Sequence, residues 1–350
     1  MTGTRSGRAT REDVARHAGT SVAVVSYVVN GGPRPVSAAT RERVLAAIDS
    51  VGYSPNGIAQ ALASGVSGAY GLIVPDISNP FFAALAHELE EAVAAQDKVL
   101  LLGDSAENKV REKTLLNLFL QRQIDGILFI GVDSDPDVSE AVRAGVQPVI
   151  LDRVDRQALV SSVAVDNVAG AHAATTHLIQ HGYTRIGIVA GPQNLFTATD
   201  RTLGWETAMA AARLEIEPMW RLEATFSRQG GRAAGRRLFA LPQLPEAVFA
   251  SNERQAIGLL AAAAEFGIRV PEDLAIITFD GTDDSEYAVP AISTVVQPLK
   301  EIAKVAVNLL ARDPGHPVVR HECDFTLRLR PSCGPHPTET VPAQKNVQGP

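Results

Sequence analysis

Cysteine is nearly absent from this chain of 350 residues: Cys323 and Cys333 are the only two. That is too few for a disulfide-stapled scaffold and compatible with a reducing compartment. No run approaches the roughly 18 consecutive apolar residues that span a bilayer, and the first residues, MTGTRSGRATRED, have no apolar h-region. The expected location is the cytoplasm, with no membrane partner. Enzyme signatures are missing too. There is no G-x-S-x-G, no P-loop and no G-x-G-x-x-G after a strand, and Gln229-Gly230-Gly231 is too weak a glycine run to count. Neither catalysis nor a cofactor is expected. His316, His321, Cys323, Cys333 and His336 lack paired ligand spacing, so no metal is expected either.

Present instead is an ordinary globular composition, 45% hydrophobic and 20% charged, with length for two or three domains. The net charge of −7 hides an asymmetry. Residues 1–66 carry seven arginines (Arg5, Arg8, Arg11, Arg16, Arg34, Arg41, Arg43) against Glu12, Asp13, Glu42 and Asp49, so the head is +3 and the remainder −10. A polyanionic partner is therefore expected at the head.

Three short helices can be read there. Thr10-Arg11-Glu12-Asp13 fits a capping pattern for a first helix through about Ala18, ended by Gly19. Ser21 can cap a second over Val22 to Asn30, with Val25, Val28 and Val29 at helical spacing. Ser37 can cap a third, on which Val44, Leu45 and Ile48 form the apolar stripe before Gly52. Two short helices joined by a glycine turn and braced by a third describe a helix-turn-helix, though a three-helix bundle that binds nothing has the same outline. In a helix-turn-helix the start of the second helix enters the major groove, so Val22, Ala23 and Tyr27 would face base edges.

Asp13-Val14-Ala15, Ala18-Gly19-Thr20-Ser21, Val25-Ser26, Val29-Asn30, Arg41-Glu42-Arg43-Val44, Gly52-Tyr53-Ser54-Pro55-Asn56 and Ile58-Ala59 resemble the head of the lac repressor (LacI/GalR) family. The resemblance implies DNA contacts from Thr10, Ser21, Val22, Ala23, Ser26, Tyr27, Asn30, Arg34, Tyr53, Asn56, Ala59 and Leu62. It also implies a hinge helix in which Leu62 wedges into the minor groove, where an apolar side chain can unstack a base step; the bland role for Leu62 is a linker residue. The chain departs from the family at Tyr27, where arginine is usual, and at Val24, where threonine is usual, and Gly31-Gly32-Pro33-Arg34-Pro35 is one residue longer than common versions. These departures bear on the operator sequence, not on the mode of binding.

From about Ala69, apolar runs of strand length (Gly71–Val74, Val99–Leu102, Ile127–Ile130, Val149–Leu151, Val163–Val165, Ile186–Ala190, Val248–Ala250, Ala275–Phe279) alternate with helical stretches near 81–95, 109–122, 137–144, 168–181, 201–213, 229–240 and 253–266. Repeated βα units imply doubly wound parallel sheets, and their number implies two lobes with a cleft between them. Ligands of such sheets bind beyond the carboxyl ends of the strands. Pro75 to Phe82, Asp152-Arg153, Asp166-Asn167, Ser251-Asn252-Glu253 and Asp280-Gly281 stand there, and carboxylates, amides and arginine beside aromatic rings suit a polyhydroxylated ligand.

Ser78-Asn79-Pro80-Phe81-Phe82, Leu151-Asp152-Arg153, Asp200-Arg201-Thr202-Leu203-Gly204-Trp205, Val270-Pro271-Glu272-Asp273-Leu274 and Phe279-Asp280 resemble the same family's periplasmic-binding-protein-like body. The implied effector contacts are Phe81, Phe82, Arg153, Arg201, Phe226, Asn252, Asp280 and Gln297. Phe81 and Phe82 could instead plug the core, Arg201 form an interlobe salt bridge, Asp280 cap a loop, and Trp205 serve packing or ligand. Glu253 stands where aspartate is more usual. The implied organisation is a flexible N-terminus (1–9), a helix-turn-helix domain (10–56), a hinge (57–67), a body (68–333) and a disordered tail (334–350). Within the body, lobe 1 is expected over about 68–166 and 297–323, and lobe 2 over about 168–295 and 327–333, with crossovers near 166–168, 281–297 and 323–327. The expected function is a homodimeric repressor of double-stranded operator DNA, released by a small molecule, with a sugar as the leading class. The rivals are a nucleobase- or nucleoside-responsive regulator and a sugar-type solute receptor, which would need an export signal.

Overall fold

The computed structural model describes residues 9–30, 34–54, 66–134, 136–153, 159–312 and 316–335. The chain divides into two compact units, Met1–Ser67 and Gly68–Pro350. The first holds α1 (Arg11–Ala18), α2 (Val22–Asn30) and α3 (Ala38–Val51). Thr10 and Asp13 form a reciprocal capping box at the start of α1, and Gly19, at φ 62°, ends it. Ser21 Oγ accepts from Val24 N at 3.3 Å and so caps α2. Val14, Ala15, Ala18, Val25, Val28, Val44, Ala47 and Tyr53 make the core. Leu45 is a correction: expected on the buried stripe, it is 49% exposed. A helix turns about 100° per residue, so the buried row on α3 is Val44, Ala47, Ile48 and Val51, at i, i+3, i+4 and i+7.

The second unit contains two six-stranded sheets. In lobe 1, β1 (Ala69–Val74), β2 (Val99–Asp104), β3 (Gly126–Phe129), β4 (Gln147–Leu151), β5 (Ser161–Val165) and β11 (Arg320–Cys323) lie in the order β11-β5-β4-β3-β1-β2. In lobe 2, β6 (Ile186–Ala190), β7 (Arg221–Glu223), β8 (Ala247–Ala250), β9 (Ala275–Asp280), β10 (Ser293–Val296) and β12 (Thr326–Arg328) lie in the order β12-β10-β9-β8-β6-β7. Every pairing is parallel except β10 with β12, an antiparallel edge. The chain therefore passes between sheets around 166, 297–298 and 324–325; residues 281–296, expected within a crossover, still belong to lobe 2 because Ser293–Val296 pairs with β9. Alternate residues of each sheet face opposite cores. Leu72 and Val74 join a cluster that runs through both lobes, whereas Ile73 packs on the outer face of lobe 1. Burial on both faces is why the central strands read as unbroken apolar runs, whereas the edge strand β2 leaves Val99 and Leu102 exposed.

The covering helices are α4 (Pro80–Ala94), α5 (Lys109–Gln121), α6 (Ser139–Arg143), α7 (Asn167–Gln180), α8 (Phe196–Ala211), α9 (Arg228–Phe239), α10 (Glu253–Phe266), α11 (Asp283–Tyr287) and α12 (Leu299–Leu310). Four short strands (β7, β10, β11 and β12) and the helices α11 and α12 carried no assignment from the sequence. Helix α8 begins five residues before the expected 201. It has no side-chain cap; its first amide, Phe196 N, donates instead to Ser134 Oγ of lobe 1 at 2.6 Å. Gln229-Gly230-Gly231 proves to be packing. A Cβ on Gly231 would lie 2.1 Å from the Gln255 carbonyl oxygen, so the glycine lets α9 cross α10 closely.

Candidate functional site

In the head, α2 presents Val22, 41% exposed, and Ala23 to solvent, with Ser26 and Tyr27 half-buried beside them. This helix carries no charged side chain. Cations flank it: Arg16 on α1, Arg34 on the connection to α3, and Arg41 and Arg43 on α3 are exposed. Apolar and hydroxyl groups ringed by arginines can read thymine methyls and base edges while the guanidinium groups hold phosphates. Thr10 and Ser21 cap α1 and α2 respectively, each at a helix N-terminus suited to a phosphate. Asn30 ends α2. Tyr53 is different: its ring is buried in the head core and its hydroxyl accepts from Arg11 Nε at 3.1 Å, which makes it a support for α1. Asn56, Ala59 and Leu62 lie outside the described residues, as do residues 1–8 and 336–350.

The body gathers most of its expected residues at one place. Phe81, Phe82 and Arg153 from lobe 1 meet Arg201, Phe226, Asn252 and Asp280 from lobe 2 around a cavity of about 20 Å3. That is room for one water, so any larger ligand requires the lobes to part or the side chains to move. The same lining includes Asn79, Asp152 and Thr197, which sequence reasoning did not select as contacts. Asn79 caps α4 through Phe81 N, and Asp152 follows β4 directly, both within the segments marked after strands, whereas Thr197 lies on α8, where no such signal points. A larger cavity of about 380 Å3 shares Asp152 and Thr197 and adds Asp166, Asn167, Asp200, Arg320 and Glu322. Its size suits a small polar ligand.

Arg201 is the centre of the lobe 2 side. Its Nε donates to Asn167 Oδ1 at 2.8 Å and its Nη1 to the Ser251 carbonyl at 2.7 Å, with Asp280 Oδ1 at 3.4 Å. All three partners belong to lobe 2, so Arg201 is no interlobe bridge. Gln297 completes the cluster, donating from Nε2 to Asp280 Oδ1 at 3.2 Å. Burial pushes the Asp280 carboxyl up to about 7; Arg201 opposes this, Glu253 and Asp152 add to it, and Gln297 opposes it. Asp152 is also raised, by burial first, against the pull of Arg201 and Arg153. Both carboxylates sit on left-handed backbone, Asp152 at φ 59° and Asp280 at φ 110°. The second is strained for any residue with a side chain, and such strain concentrates at functional sites.

The remaining residues hold the frame. Arg153 lines the cavity, but its Nη1 donates to the Gly131 and Val132 carbonyls at 3.0 and 2.7 Å, and it pairs with Glu107 at 3.3 Å. Its donors are thus committed to lobe 1. Phe81 and Phe82 stack edge to face at 5.4 Å and belong to the shared core as well as the cavity wall. Asn252 caps α10 through Gln255 N. The buried Glu253 accepts from the amide and hydroxyl of Thr282 and from the Ser285 amide, pinning the loop after β9. Trp205 is fully buried and serves packing. Between the lobes, Arg254 Nη1 reaches Asp76 Oδ2 at 2.7 Å.

Of the residues weighed for metal, Cys333 lies with His177 and His181, and His321 and Cys323 lie with Glu301, each group within 4.8 Å among its ligand atoms. His177, His181 and Glu301 were not considered in the sequence. His316 joins neither group, and His336 is outside the described residues. No helix of the described residues is long and apolar enough to cross a membrane.

Comparison with known proteins accounts for both units. Residues 10–56 match the bacterial regulatory proteins of the lacI family, and residues 175–333 match the periplasmic binding protein-like domain. The transcriptional repressor PurR of Photobacterium profundum is 31% identical over 329 residues, 93% of this chain and 98% of that protein. Among solved structures, the complex of the transcriptional regulator CelR with cellobiose is similar, with a TM-score of 0.69 and 30% identity over 93% of this chain and all of that one. The Lac repressor dimer bound to operator and the anti-inducer ONPF is similar with a TM-score of 0.84 and 25% identity, covering 94% of this chain and all of that one. A helix-turn-helix head and a two-lobed parallel-sheet body in this order make the chain a member of the LacI family, a DNA-binding transcriptional repressor.

Proposed function

We propose that the protein binds a palindromic operator as a homodimer through two heads, and that a sugar entering the cleft between the lobes releases the DNA. The observation that carries the effector half is the meeting of Arg201, Asp280 and Asn252 with Phe81 and Phe82 across the lobes, beside the larger polar cavity. A guanidinium and carboxylates fix vicinal hydroxyls, and phenyl rings pack on the C–H face of a pyranose. Cellobiose in the CelR complex and operator DNA in the Lac repressor complex support the two halves. The dimer follows from half-site symmetry. Release needs only that effector bind the DNA-incompetent arrangement of the lobes better, and coupling of about 1–3 kcal/mol changes DNA affinity several-fold to a hundredfold. The protein works in the cytoplasm and turns over no substrate.

The test is fluorescence anisotropy of the full chain on duplexes from upstream of its own gene and on scrambled duplex, across a salt series and a panel of sugars and nucleosides. One palindrome bound tightly and released by one sugar is the expected result. Release by a nucleoside replaces the effector class, and tighter binding with ligand reverses the sign. Equal, steeply salt-dependent binding to every duplex would show charge without readout.

A further inference from the structure

Far from the effector cleft along α7, the chain converges on a different chemistry. His177 and His181 stand one helical turn apart at the carboxyl end of that helix, on the same face. Their rings meet edge to face with centroids 4.6 Å apart. The turn Pro331–Cys333 brings the Cys333 thiol against them, with Sγ 3.3 Å from His177 Nε2. Gly334 lets the chain pass here: its φ is 113°, and a Cβ would lie 3.1 Å from His181 Nδ1.

We propose that His177, His181 and Cys333 bind a thiophilic divalent cation, with zinc as the leading occupant. Two imidazoles and one thiolate are a borderline-soft donor set that excludes magnesium and calcium. Zinc bonds of about 2.3 Å to sulfur and 2.0 Å to nitrogen place tetrahedral ligands roughly 3.3–3.6 Å apart, and the His177–Cys333 separation already matches. The third ligand atom needs only side-chain rotation, since all three lie within 4.8 Å. An outer shell is in place. Ser293 Oγ lies 2.8 Å from Sγ, and Tyr183 Oη donates to the Cys333 carbonyl at 3.4 Å. Cys333 is fully buried and His177 nearly so, while His181 is half-exposed and offers the route in. On binding, the thiol proton passes to solvent and sulfur donates its electron pair to the metal, with no change of oxidation state. The cation would then tie the chain after β12 to α7, whose other end supplies Asn167 to Arg201.

Cobalt is the probe. Full-length protein stripped with chelator and titrated with Co2+ should develop a sulfur-to-metal absorption in the near ultraviolet and strong d–d bands, saturating at one equivalent, and Zn2+ should displace both. Cys333→Ser should abolish the sulfur band. His181→Ala, at a half-exposed position, should weaken binding on the order of 10–100-fold. Cys323→Ser, in the group with Glu301 and His321, should change neither. A parent protein without the sulfur band, a band that survives Cys333→Ser, a band lost with Cys323→Ser, or unchanged affinity in His181→Ala would each overturn the assignment.

Discussion

The guanidinium carbon of Arg201 lies over the Phe279 ring, 3.8 Å from its centre, while Nη1 holds the Ser251 carbonyl at 2.7 Å. A planar cation stacked on one face and forked along its edge has little freedom left, which is what a ligand-reading group requires. Arg201→Lys keeps the charge and loses both the stack and the fork. Calorimetry should show effector binding weakened by about 10–100-fold, with operator binding in the absence of effector unchanged. Parent-like effector affinity would reduce Arg201 to a structural role.

Asp280 makes the response depend on pH. Its carboxyl is pushed up to about 7, and only when ionised does it offer both oxygens as charged acceptors to ligand hydroxyls. Effector affinity should therefore rise by about tenfold from pH 6 to pH 8, following the ionised fraction. The same shift works against the folded state as pH rises from the ordinary carboxylate range to about 7, since the folded protein holds the proton more tightly. Asp280→Asn should flatten the affinity profile. A profile that stays steep in this variant would place the titrating group elsewhere.

The pair Asp76–Arg254 joins the lobes. Burial raises the Asp76 carboxyl, but hydrogen bonds from Ser78 and Arg254 outweigh that and hold it below its ordinary value, so the pair is intact above pH 4 and lost only in stronger acid. Both side chains are partly exposed, which limits the contact to about 1 kcal/mol. Asp76→Asn should shift the lobes toward opening by up to about fivefold, read as faster effector association in stopped flow. Unchanged rates would show that the lobes do not part along this edge.

Tyr27 and Tyr53 should behave oppositely. Tyr27→Ala, half-buried beside the exposed Val22 and Ala23 of α2, should change the preferred base at one position of the half-site at a cost of about 1–3 kcal/mol there, with the head still folded. Tyr53→Phe removes only the hydrogen bond from Arg11 and should leave base preference intact. Selection from a randomised operator library distinguishes them; a preference altered by Tyr53→Phe would put that hydroxyl on the DNA.

The crossing of α9 and α10 depends on the absence of a side chain. A Cβ on Gly258 would lie 2.1 Å from the Arg228 carbonyl oxygen, backbone that cannot give way alone. Gly258→Ala should destabilise the body by about 2 kcal/mol or more in denaturant unfolding, and a neutral result would mean that the helices separate at little cost.

Local chemistry was enough to mark the head and the frame of the body. The caps at Thr10, Ser21 and Ser37, the glycine stops at 19 and 52, and the apolar runs of the central strands depend on neighbours within a few residues. Periodicity therefore exposes them. The same reasoning placed Asn252 and Asp280 just after strands, whereas Arg201, inside α8, was reached only through the family resemblance. What depends on distant partners stayed hidden. The start of α8 is set by Ser134 of the other lobe, the short edge strands exist only by pairing, and Leu45 faces out because α1 meets a different face of α3. Tyr53 turned inward toward Arg11, and Arg153 spent its donors on the Gly131 and Val132 carbonyls. His177 and Cys333 are 156 residues apart, so no spacing along the chain announces them. Capping and periodicity are short-range properties that sequence carries, whereas the partner of a buried polar group is chosen by which elements the fold brings together.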